Sequence, residues 1–70
     1  MRTNENGLIE ENKWKILKAI GVNSGEKYEG VIISEDGAKF LIVPEHLSGT
    51  YTDDDIRSLY KDTLKVISIR

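Results

Sequence analysis

Lys13-Trp14-Lys15-Ile16-Leu17-Lys18-Ala19-Ile20-Gly21-Val22 is the stretch on which the fold turns. Laid on a helical wheel with the residues before it, Ile9, Ile16, Leu17, Ala19 and Ile20 gather on one side and Leu8 lies at the margin. Gly21 followed by Val22 then reads as a Schellman ending. Laid out as a strand, Trp14, Ile16, Ile20 and Val22 share a face, but Lys18 interrupts it. The apolar spacing therefore predicts a helix over residues 6–20, with a strand over residues 13–22 as the alternative. In the helix Trp14 lies roughly 150° from the centre of the apolar stripe, where a core tryptophan does not belong.

The segments that follow read as strands. Tyr28 to Glu35 and Ala38 to Val43 are β-branched and aromatic runs separated by Asp36-Gly37, the preferred two-residue type I′ loop. That loop pairs Glu35 with Ala38, Ile33 with Phe40 and Val31 with Ile42. Val31, Ile33, Ala38, Phe40 and Ile42 then form the core face. Gly30, Ile32, Ser34, Lys39, Leu41 and Val43 form the other face, still apolar at one end, so something must cover both faces there. Thr52 before Asp53-Asp54-Asp55 is a helix start in which Thr52 caps and Asp55 closes a capping box. Ile56, Leu59 and Tyr60 continue the stripe to about residue 61. Leu64 to Ile69 is a further strand whose apolar positions change phase between Val66 and Ile67, the signature of a bulge or of burial on both faces.

The expected architecture is one α+β domain over residues 1–70, with residues 1–5 a flexible N-terminus: an N-terminal helix, a β-hairpin, a short acidic-capped helix and a closing strand around one small twisted sheet. The alternative comes from resemblance. Gly25-Glu26-Lys27-Tyr28-Glu29-Gly30-Val31-Ile32, with Asp36-Gly37-Ala38-Lys39-Phe40 after it and Lys65-Val66-Ile67 near the end, resembles strands of S1/OB-type barrels. It is also similar to the Sm-like barrel, in which a first helix precedes a strongly bent sheet. The resemblance covers about half the chain and implies an SH3/OB/Sm-like small β-barrel with helical cover. It carries over no nucleic-acid contacts, because no strand holds an aromatic pair flanked by basic residues.

Seventy residues without cysteine, with one proline, one tryptophan, one histidine and a net charge of −2, exclude a second domain, a repeat array and a disulfide framework. Val31-Ile32-Ile33 and Phe40-Leu41-Ile42-Val43 fall far short of the ~20 apolar residues of a membrane span. The first residues lead into no apolar h-region, and a cytoplasmic protein is expected. A chain of this size buries only about 60% of its extended surface, so a partner or a second copy adds stability.

Catalytic chemistry finds little footing. Nucleophilic catalysis needs an activated side chain beside a base, and His46, with Glu45 and Ser48 near it, reads as an exposed loop histidine. Asp53, Asp54 and Asp55 point about 100° apart on a helix and match helix capping rather than a calcium loop. Residues 21–27 lack the spacing and the following helix of a phosphate loop. No enzyme activity, cofactor or metal is expected.

Two binding functions remain. The first is a small non-catalytic protein-binding module (a regulator, inhibitor or adaptor) working on a protein partner or on a second copy. Its interface residues are Trp14, Lys15 and Lys18 with an acidic surface around Glu29, Glu35 and Glu45. An exposed tryptophan is a common interface anchor; the opposing readings are that residues 13–20 form a strand or that Trp14 lies against the sheet edge. The second function is a nucleic-acid-binding small barrel using Lys13, Lys15, Lys18 and Trp14, which the net negative charge disfavours.

Overall fold

The structure is a computed structural model describing residues 8–70; the expected flexible N-terminus, residues 1–5, lies outside the described residues. Five strands form one antiparallel sheet: β1 (Ile16–Gly21), β2 (Lys27–Glu35), β3 (Lys39–Val43), β4 (Arg57–Tyr60) and β5 (Leu64–Ile69), in the spatial order β4-β3-β2-β1-β5. The helical segments among the described residues are three single 3₁₀ turns, Glu45–Leu47, Asp53–Asp55 and Lys61–Thr63. The protein is all-β, which overturns the α+β expectation and both of its helices.

β1 occupies part of the stretch expected to be the N-terminal helix. Its buried residues are Leu17, Ala19 and Gly21, while Ile16 and Ile20 are half-buried and Lys18 is exposed. The strand reading fails on paper because the Ile16–Ile20 face, broken by Lys18, looks like the core. That face points outward. The inward face is Leu17-Ala19-Gly21. The second helix yields to pairing. Thr52 and Asp55 close one turn, in which the Asp55 carboxylate accepts from the Thr52 backbone N–H (2.9 Å) and hydroxyl (3.2 Å). The chain is extended again at Ile56, and Leu59 pairs with Phe40 in β3. Both bonds end on Asp55, so Asp55→Ala should lower stability by about 1 kcal/mol and Thr52→Ala by less, read from urea melts.

Between β4 and β5 stand only Lys61–Thr63. In a flat five-stranded sheet the two edges would lie about 19 Å apart, whereas four residues at full stretch cover roughly 14 Å. The sheet therefore curls until its edges approach. Inside the curl pack Leu17, Ala19, Ile32, Phe40, Ile42 and Leu59, flanked by Tyr28, Leu64 and Ile69. Outside it, Val31, Ile33 and Val43 are covered by Tyr51 and Ile56 from the long β3–β4 segment, with Ile16 and Leu41 beside them. That segment covers the outer face of the hairpin, and the curled sheet itself covers the inner one.

The hairpin register also differs from expectation. Glu35 pairs with Phe40 and Ser34 with Leu41; after an irregularity at Ile33, Ile32 pairs with Ile42 and Val31 with Val43. A shift of one residue changes which side chains share a face. Ile32 joins Phe40 and Ile42 inside, and Val31 and Ile33 go outside. Neither Asp36 nor Gly37 has positive φ, so the loop is not type I′. Instead the Asp36 carboxylate accepts the backbone N–H groups of Ala38 (2.8 Å) and Lys39 (2.9 Å), an Asx-type turn. Those bonds, Ala38 first, hold its pKa below the ordinary aspartate value. A depressed folded pKa stabilises above the unfolded value, about 3.9, and the stabilisation disappears as pH falls through the folded value. Acid unfolding of Asp36→Asn should therefore lack part of the pH dependence of the parent below about pH 4.

On β5 the anticipated phase change is a bulge. Lys18 pairs with Ser68 and Ala19 with Val66, leaving Ile67 as the extra residue.

Candidate binding surface around Trp14

Trp14 sits in a turn just before β1. The Lys15 N–H donates to the Asn12 carbonyl at 3.0 Å, and Trp14 occupies the third position of that turn with φ +71°. Among the described residues it is the one non-glycine residue with positive φ. Type II turns require that conformation at the third position and usually place glycine there. A bulky aromatic in it is an outlier that costs about 1–2 kcal/mol.

The turn is clamped to β2 from both sides. The Trp14 N–H donates to the Ile32 carbonyl (2.7 Å), and the Ile32 N–H donates to the Lys15 carbonyl (2.9 Å). One residue of β2 thus faces two of the incoming chain, the two-against-one arrangement of a bulge with its first residue left-handed. Further along, the Asn12 side-chain amide donates to Glu35 Oε1 at 2.8 Å, and the Ile9 N–H donates to the Glu35 carbonyl at 2.8 Å. Glu35 is in turn held by Lys61, whose Nζ lies 2.6 Å from Oε2. The backbone beneath Trp14 is therefore fixed while the indole remains 57% exposed. Lys13 Nζ stands 5.5 Å from the ring centroid, a cation–π distance.

The anticipated interface residues separate into three places. Trp14, Lys15, Lys18 and Glu29 lie on or beside β1 and β2, where Lys18 and Glu29 pair across the strands at 3.7 Å, both more than half exposed. Glu35 is not a surface residue: it is 5% exposed and acts as a positioning residue for the Trp14 turn. Glu45 is exposed in the first 3₁₀ turn, on the β3–β4 segment. Glu29, Glu35 and Glu45 thus form no common acidic surface, contrary to expectation. The physical reason is the curl, which sends the three to the outer face, the interior and the covering segment.

Lys27, Lys65, Ile67 and Arg70 escape sequence reasoning. Lys27 and Lys65 both pair with Ile20, and Arg70 exchanges backbone hydrogen bonds with Ile16 at 3.0 Å in each direction. No local spacing signals the whole set, since Lys65, Ile67 and Arg70 come from the far end of the sequence to lie beside β1. His46 is exposed, and no group of three His, Cys, Asp or Glu residues suited to a metal ion occurs among the described residues. No helix among them is long and apolar enough to cross a membrane. No protein-family model, curated protein or solved structure matches the chain.

Proposed function

We propose that the protein is a small non-catalytic protein-binding module whose contact is anchored by Trp14. One observation carries the reading: a large aromatic side chain stays 57% exposed on a left-handed backbone position that glycine would occupy without strain. Exposure forgoes burial energy and the conformation adds cost, while backbone hydrogen bonds to Ile32 and the Glu35 clamp hold both in place. Strain retained in this way is characteristic of recognition sites, and a rigid exposed tryptophan is a favoured hot-spot residue.

The test uses two substitutions. At an ordinary position alanine is more stable than glycine; at φ +71° the order should reverse, with Trp14→Gly more stable than Trp14→Ala by about 1 kcal/mol. Both should weaken association with a partner captured from the native host by about 2 kcal/mol or more. The single tryptophan gives the readout, with red-shifted emission in the free chain and a blue shift on binding. Unaltered partner capture by both variants would refute the proposal.

A second reading, binding of single-stranded nucleic acid, draws on the placement of Lys13 over the indole with Lys15 beside it. It predicts a steep loss of affinity with salt, whereas the protein-binding reading predicts a shallow one.

A further inference from the structure

We infer that the outer face of the β2–β1–β5 sheet docks an acidic protein segment carrying an apolar side chain; this deepens the protein-binding reading by naming the partner's chemistry. Residues directly opposite one another in an antiparallel sheet share a face. Across the three strands Lys27, Ile20 and Lys65 form one row, and Glu29, Lys18 and Ser68 the next. Val31, Ile16 and Arg70 form the third, in which Val31 is already covered by the β3–β4 segment. The face presents four cations and one acid, and that acid, Glu29, is already paired with Lys18. Among the described residues Lys27, Lys65 and Arg70 enter no ion pair.

The middle of the face is aliphatic. Ile20 and Ile16 are half-buried, and Ile67, set out by the β5 bulge, is 62% exposed and borders a shallow depression with Lys18, Lys27 and Glu29. The opposite character appears on the β3–β4 segment, where Glu45, Asp53 and Asp54 are exposed. The net charge of −2 thus hides a segregation of sign, and a partner's acidic groups are drawn to the β1 side.

Cation, apolar, cation in the row Lys27–Ile20–Lys65 spans about 10 Å across the strands. An extended segment with acid, apolar and acid at every second residue presents the complementary order over roughly 13 Å, which flexible lysine stems accommodate. A polyphosphate fits less well, because Glu29 stands among the cations and the middle of the face is aliphatic.

The experiment is an amide chemical-shift titration of the full chain with four probes. They are a peptide containing Glu-Ser-Val-Ser-Glu, the same peptide with Ser for Val, its Lys-Ser-Val-Ser-Lys counterpart, and an oligothymidylate. The acidic apolar peptide should shift the amides of Lys18, Ile20, Lys27, Lys65 and Ile67, loss of Val should weaken it several-fold, and the basic peptide should not bind. Lys65→Glu should reduce affinity about tenfold. Ile67→Ser, which leaves charge unchanged, should also reduce it. No shifts at millimolar peptide, shifts centred on residues 44–56, or tighter binding of the oligonucleotide to this face would each overturn the inference. The Trp14 indole N–H separates the two readings in the same spectra. Movement of the indole without the face rejects this inference and leaves the Trp14 anchor standing; movement of the face without the indole supports this inference and rejects the anchor.

Discussion

Glu35→Ala is expected to cost about 3 kcal/mol, a large share of the stability of so small a domain. Glu35 is the one buried charged residue of the described core, 5% exposed. Its two carboxylate oxygens are used separately, Oε2 on Lys61 at 2.6 Å and Oε1 on the Asn12 amide at 2.8 Å. Removing the carboxylate leaves the Lys61 ammonium against the Phe40 ring, 4.8 Å from its centroid, without its counter-ion. Breaking a buried pair costs about 3–5 kcal/mol, and the lower end applies because the Lys61 side chain keeps 28% of its surface in water. Lys61→Ala added to Glu35→Ala should cost little more, because the stranded charge goes with it. Glu35→Gln, which still offers an acceptor, should cost less than Glu35→Ala. Urea unfolding of the four chains measures this, and a loss under about 1 kcal/mol in Glu35→Ala would contradict the burial argument. Glu35→Ala should also loosen the turn below Trp14, seen as a drop in tryptophan anisotropy in the still-folded fraction.

Gly30→Val should be comparably damaging, at about 3 kcal/mol, for a reason of shape. Gly30 is buried opposite Leu17 in β1, and the end of the neighbouring strand β3 lies close against it. A Cβ there would stand 2.6 Å from the Val43 carbonyl oxygen and 3.1 Å from Ile42 Cδ1. The first of these is backbone, so relief requires β3 to move rather than a side chain to turn. Gly30→Ala already meets that oxygen, and valine adds two methyl groups. Glycine inside a strand commonly marks such a close approach. Gly37→Ala is the control: its Cβ would meet nothing within 4 Å and its φ is not positive, so stability should hold or rise slightly. Equal melting temperatures for Gly30→Val and the parent would mean that the sheet is less tightly curled at this point.

What the sequence determined by itself is the set of features written within a few residues of one another. The β-branched runs after Lys27 and before Pro44 are strands because their side chains suit a pleated, half-buried surface. The phase break between Val66 and Ile67 is a bulge, and Asp36 and the Thr52–Asp55 pair each close a turn through their own side chains. Tertiary structure alone decided the rest. Ile16–Gly21 has a core face of Leu17, Ala19 and Gly21, with too little apolar volume to show period-two alternation against the more conspicuous Ile16 and Ile20. It became a strand because β2 and β5 supply hydrogen-bond partners on both sides. The hairpin register followed from the Asx-type turn and the irregularity at Ile33, and it sent Ile32 to the interior. Glu35 is buried because Lys61, 26 positions away, arrives to neutralise it. Lys27, Lys18, Lys65 and Arg70 share one face only after three strands align. Local chemistry sets where the chain turns and extends; which side chains meet across strands depends on closing long loops, and no short window of sequence contains both partners of those contacts.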